Sequence, residues 1–173
     1  MGSSTGLLSN IRSMYHSYGG ALSFICSGYV WIAIVCAALS WKNIQSEEWA
    51  SIAINTLPTL AGFSIAAYAI FFSVLSDSDR KALMPPHKNL GGRSPFLVLV
   101  SAVSHAVLIQ LLAILIAIIF KSKSIPIVAG WEERSERFNT IVSTIGWFLT
   151  LYGIILVAAS VLSIFRILEI KSR

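Results

Sequence analysis

Four stretches of the chain, 17–41, 49–76, 94–120 and 138–165, contain no Asp, Glu, Lys or Arg, and the charged residues crowd the positions between them. The stretches are 25, 28, 27 and 28 residues long and are made mostly of aliphatic and aromatic side chains. A helix needs about 20 apolar residues to cross a hydrocarbon layer ~30 Å thick, so each stretch is long enough for one crossing. The pattern predicts an all-α polytopic membrane protein with four transmembrane helices at about 21–41, 50–76, 95–120 and 131–166. The connecting segments are too short to bury a core of their own, which predicts a single membrane domain over 1–173.

A different periodicity precedes the first stretch. Leu7, Leu8, Ile11, Met14, Tyr15 and Tyr18 recur at helical spacing opposite Ser9, Asn10, Arg12, Ser13 and Ser17. This predicts a short amphipathic helix at about 5–18 in the bilayer interface, ended by Gly19 and Gly20. Before the fourth stretch, residues 131–137 (WEERSER) run into the apolar segment without a breaker. That helix should project about two turns past the bilayer, with Glu133 and Arg137 in the favourable i,i+4 order.

Composition agrees with a membrane location: 55% of the 173 residues are hydrophobic and only 12% charged. About a quarter is usual in soluble domains. The first apolar stretch exceeds the roughly 7–15 residues of a signal-peptide core, so it is expected to stay as a helix. Gly6 stands where a myristoylation signal needs Ser or Thr. With four spans both termini share a side. That side holds eight basic residues against five on the other, and carries the whole net charge of +5. Basic residues favour the cytoplasm, which predicts an inner (plasma) membrane protein with both termini cytoplasmic. Trp41, Trp49 and Trp131 flank the loops on the opposite side, where indoles favour the interface. Cys26 and Cys36 lie about 15 Å apart along one helix, too far to bridge, and read as small packing residues.

The absence of charge inside the spans excludes much chemistry. Carboxylate proton relays, arginine voltage sensors and ordinary acid–base catalysis lack their usual residues. No nucleophile–base pair, phosphate-binding glycine loop or cluster with metal-ligand spacing is visible. The expectation is therefore a non-enzyme with no cofactor, no metal and no direct nucleic-acid binding, its partners being membrane lipids, copies of itself and a soluble protein.

The polar residues that remain inside the spans stand out. His105 falls ten residues beyond Pro95, ~15 Å into the third span, with Ser101 one turn before it on the same face. The pair reads either as a structural hydrogen bond or as the lining of a polar central space in an oligomer. Gln110 lies on a stripe with Ala102, Ala106, Ala113 and Ala117, suited to an interhelical hydrogen bond at a close approach. Gly62, Ala66, Ala69 and Ser73 form a second small-residue stripe, and Gly146 and Gly153 a third. So many packing surfaces predict a homo-oligomer. The segment from Gly62 to Tyr68 also echoes Gly146 to Tyr152 at an offset of 84 residues, as a duplicated hairpin would.

The second loop, residues 77–93, carries Asp77 and Asp79, with Ser76 or Asp77 as the cap of a short turn through Leu83 that Pro85-Pro86 stops, and then Gly91-Gly92. Its basic residues Arg80, Lys81, Lys88 and Arg93, together with Arg166 and Lys171 of the tail, form the candidate docking surface for a soluble partner. Two functions fit these features. One is an oligomeric membrane anchor or sensor that recruits a cytoplasmic protein. The other is a small channel in which symmetry-related copies of Ser101 and His105 line the path. In length, four spans, N-terminal interfacial helix and cytoplasmic termini, the chain resembles the small four-span membrane subunits of bacterial anti-phage systems, such as the membrane component of the Kiwa system. The resemblance is one of layout and carries no residue roles. It implies a multimeric inner-membrane subunit that holds a cytoplasmic effector and responds to infection.

Overall fold

The computed structural model describes residues 6–18, 27–45, 48–122 and 132–172, and within them the chain is all-helical apart from turns and one isolated bridge. The elements in order are α1 (Leu7–Tyr18), α2 (Gly28–Leu39), α3 (Lys42–Gln45), α4 (Glu48–Val74), α5 (Asp77–Leu83), a 3₁₀ turn (Lys88–Leu90), α6 (Pro95–Lys121) and α7 (Glu132–Ser172). Three of these helices, α4, α6 and α7, are long and apolar enough to cross a membrane. The 27 residues of α4 and of α6 each span about 40 Å at 1.5 Å per residue, more than the hydrocarbon thickness.

The expected first span, about 21–41, corresponds to α2, which has 12 residues, Gly28–Leu39. Residues 21–26 of that expectation, with Cys26, lie outside the described residues, as do 1–5 ahead of α1 and Trp131 ahead of α7. The remaining helix ends depart from expectation for local reasons. The second span stops at Val74 rather than 76, because Ser76 is extended (φ −67°, ψ 162°) and caps α5 instead. Its hydroxyl accepts from the Asp79 amide while the Asp79 carboxylate accepts from the Ser76 amide, a reciprocal capping box. The fourth span was expected to end near 166, yet α7 continues to Ser172. Neither glycine nor proline follows Gly153, so nothing in the sequence stops it.

Helix α6 is the centre of the bundle, packed most extensively on α7 and α4, with α1 on a further side. Ser94 begins it: its hydroxyl accepts from the Leu97 amide and donates to the Leu83 carbonyl, tying the end of α5 to the start of α6. One core cluster joins Trp49, Ala53 and Leu57 of α4 to Ala113 and Ala117 of α6 and Trp147 of α7. The deepest contact in it is between Trp49 and Gly146. Trp49 is fully buried, and a Cβ built on Gly146 would overlap its six-membered ring. Trp49 is thus a packing residue and not the interfacial indole that its place at a loop suggested. Trp41 is half exposed.

The other glycine stripe behaves oppositely. Gly62 and Ala66 face outward, with nothing within 4 Å of a Cβ at Gly62. An alanine is intrinsically worth about 0.8–1 kcal/mol over glycine inside a helix. Gly62→Ala is therefore expected to be neutral or stabilising to unfolding in micelles. Gly146→Ala should instead destabilise by about 1–3 kcal/mol through overpacking, and adding Trp49→Leu should recover part of that loss.

Candidate functional site

In hydrocarbon a polar side chain has no water to turn to, so its partners must come from the protein. His105 is 1% exposed. Its Nδ1 lies 3.3 Å from the Tyr15 hydroxyl of α1, and its Nε2 lies 3.1 Å from the Tyr152 hydroxyl of α7. A neutral imidazole has one donor nitrogen and one acceptor, so one phenol donates to the ring while the other accepts from it. The three rings pack edge-on or tilted, with centroids 5.6 Å (Tyr15) and 5.9 Å (Tyr152) from that of His105. Phe148 stacks parallel on Tyr152 and fixes its plane. Three helices thus converge on one imidazole.

Gln110 lies five residues further along α6 and makes the second interhelical bond: its Nε2 donates to the Gly153 carbonyl at 3.0 Å. Glycine keeps the approach close, because a Cβ at position 153 would come 3.1 Å from Cγ of Gln110 and press on that side chain. Ala106 and Ala113, both fully buried, flank it on α6. Of the packing set read from sequence, the structure brings Ala106, Gln110, Ala113, Gly146 and Gly153 together inside the bundle and leaves Gly62 and Ala66 on its outside. Ser101 is buried on the His105 face of α6. The two phenols that meet the ring were not assigned to it from sequence. Tyr15 reads as part of an apolar stripe ninety residues away, and Tyr152 only as the end of the segment that echoes Gly62 to Tyr68; a tyrosine on an otherwise apolar face is the available signal.

The basic candidates gather at the other kind of site, the end of the bundle formed by α5 and the turns before α6. His87 and Arg93 pair through the backbone, with Gly91 (φ 63°) and Gly92 (φ 74°) supplying the left-handed conformations that close the turn. Arg93 Nε donates to the Leu90 carbonyl at 2.9 Å, and Arg80 reaches the Phe72 carbonyl at 3.5 Å and Asp77 at 4.0 Å. Lys81 and Lys88 are exposed. The tail joins this end: Ile164 of α7 packs against the cluster of Leu75, Leu83, Leu99 and Val103. Arg166 and Lys171 follow on the same helix by backbone, and their side chains lie outside the described residues.

Neither protein-family models, nor characterised proteins, nor solved structures provide a match to this chain. Its site therefore stands on its own geometry.

Removing the Tyr15 hydroxyl should cost about 1 kcal/mol of α1 docking. In Tyr15→Phe, amide exchange across residues 7–18 is expected to rise about fivefold, with exchange in α6 and α7 unchanged. His105→Leu, which removes the ring's bonds to both phenols, should loosen α1 and also lower the stability of the α6–α7 pair.

Proposed function

We propose that this protein is an integral membrane anchor or sensor subunit. In this reading it has four spans, the first at about 21–41, with α1 at the membrane interface, and both termini face the cytoplasm of the inner membrane. It works as a homo-oligomer and recruits a soluble cytoplasmic partner through Arg80, Lys81, Lys88 and Arg93 of the second loop and Arg166 and Lys171 of the tail. The observation that carries this reading is the packing of Ile164 on Leu75, Leu83 and Leu99, which brings the base of the tail to the end of the bundle that bears the basic loop. Eight further helical residues, to Ser172, extend about 12 Å beyond that contact. A basic loop beside a projecting basic helix suits an acidic protein surface or anionic headgroups. The layout resemblance to membrane subunits of anti-phage systems suggests that the recruited protein is a defence effector.

The enclosure of His105 by Tyr15 and Tyr152 favours an anchor over a channel, since a pore residue would need to face an open path. Co-purification from detergent-solubilised membranes tests the proposal. Reversing Arg80, Lys81, Arg166 and Lys171 to Glu should abolish capture of the soluble partner while leaving the oligomeric mass unchanged. A monomer that captures no partner, or ion flux abolished by His105→Ala, would count against it.

A further inference from the structure

Between the end of α6 and the beginning of α7 runs a groove of about 220 Å³ lined only by apolar side chains: Ile116, Ile119 and Phe120 on one wall, Phe138, Val142 and Ile145 on the other. It begins one residue from Lys121 and one turn from Arg134, so its mouth lies where the apolar surfaces of both helices give way to charge. From Phe138 to Ile145 it runs about 10 Å along α7, parallel to the direction in which lipid chains lie.

The charges at the mouth whose side chains are described are not symmetrically disposed. At about 100° per residue, Arg134 falls within about 40° of Phe138 and so continues the groove stripe by one turn. Glu133 and Glu136 fall roughly 140° or more from Phe138. Glu133 is moreover paired with Arg137 at 2.7 Å. On the facing helix Lys121 turns away, donating to Ser51 of α4 at 3.1 Å. The feature that follows the apolar groove outward is therefore a guanidinium, the side chain best shaped to hold a phosphate.

We propose that this groove is a phospholipid site, in which one acyl chain lies between α6 and α7 and the phosphate is held by Arg134. An alkyl chain matches a lining without polar atoms, and a lipid of the surrounding leaflet reaches the groove without leaving the bilayer.

The test uses the full chain, purified in detergent, delipidated and titrated with dioleoylphosphatidylglycerol under native mass spectrometry. Wild-type protein should retain one lipid per chain. Val142→Trp, which fills the groove, should weaken that retention about tenfold. Arg134→Gln should weaken it several-fold, with helical circular dichroism preserved. Equal retention in Arg134→Gln and wild type would overturn the proposal whatever the behaviour of the groove-filling variant. So would loss of oligomeric mass in Val142→Trp at constant lipid count, which would show that a second copy of the chain fills the groove.

Discussion

The constraint on which this structure turns is that the polar groups of α6 are buried where water cannot satisfy them. His105 and Gln110 lie roughly 140° apart around that helix, yet both bond to neighbouring residues of α7, His105 to Tyr152 and Gln110 to Gly153. Sliding α7 by one turn would break both at once. Interhelical hydrogen bonds in membranes are worth about 0.6 kcal/mol on average and up to ~1.7, so these two contribute register more than adhesion. Adhesion comes from close packing at Ala106, Ala113 and Ala117, where small side chains let the backbones approach. The Oε1 of Gln110, buried and without a hydrogen-bond partner among the described residues, shows what that register costs.

Much of this was legible in the order of residues. Charge-free runs located α4, α6 and α7 because a charge inside hydrocarbon is expensive enough to shape composition over twenty positions or more. The interhelical role of Gln110 followed from its alanine stripe. A cap at Ser76 or Asp77 followed from local chemistry, and the structure places it at Ser76. Other features were hidden because they depend on contacts between distant positions. No local signal links Tyr15 to His105, or places Trp49 over Gly146 when tryptophans beside loops favour the interface. The tail helix continues past the expected end near residue 166 because apolar length marks where a membrane ends, not where a helix ends.

Two families of small residues, alike in sequence, have opposite fates. Gly146 and Gly153 admit Trp49 and Gln110, whereas Gly62 and Ala66 are exposed, with none of the described residues within 4 Å of a Cβ at Gly62. The segments that echo each other at 84 residues thus differ in environment at each key position. Tyr152 is buried against His105, and Tyr68 sits half-buried beside Phe72. Small residues permit close approach without specifying what approaches. On α7 the partner is a large side chain from another helix, and the outward face of α4 is left to whatever surrounds the chain in the bilayer.

Helix α7 connects these observations. Its 41 residues extend about 60 Å and run from the charged turn at Glu133 through the Trp49 notch and the His105 network to the basic end of the bundle. An unbroken helix held in register at its middle fixes where its far end projects, much as a shaft is located by its bearings. Recruitment of a soluble protein needs a surface held at a defined place and orientation beside the membrane, which packing alone supplies. The proposed recruiting role needs no charge inside the spans, and His105, Gln110 and Tyr152 lie where they hold α7 to α6.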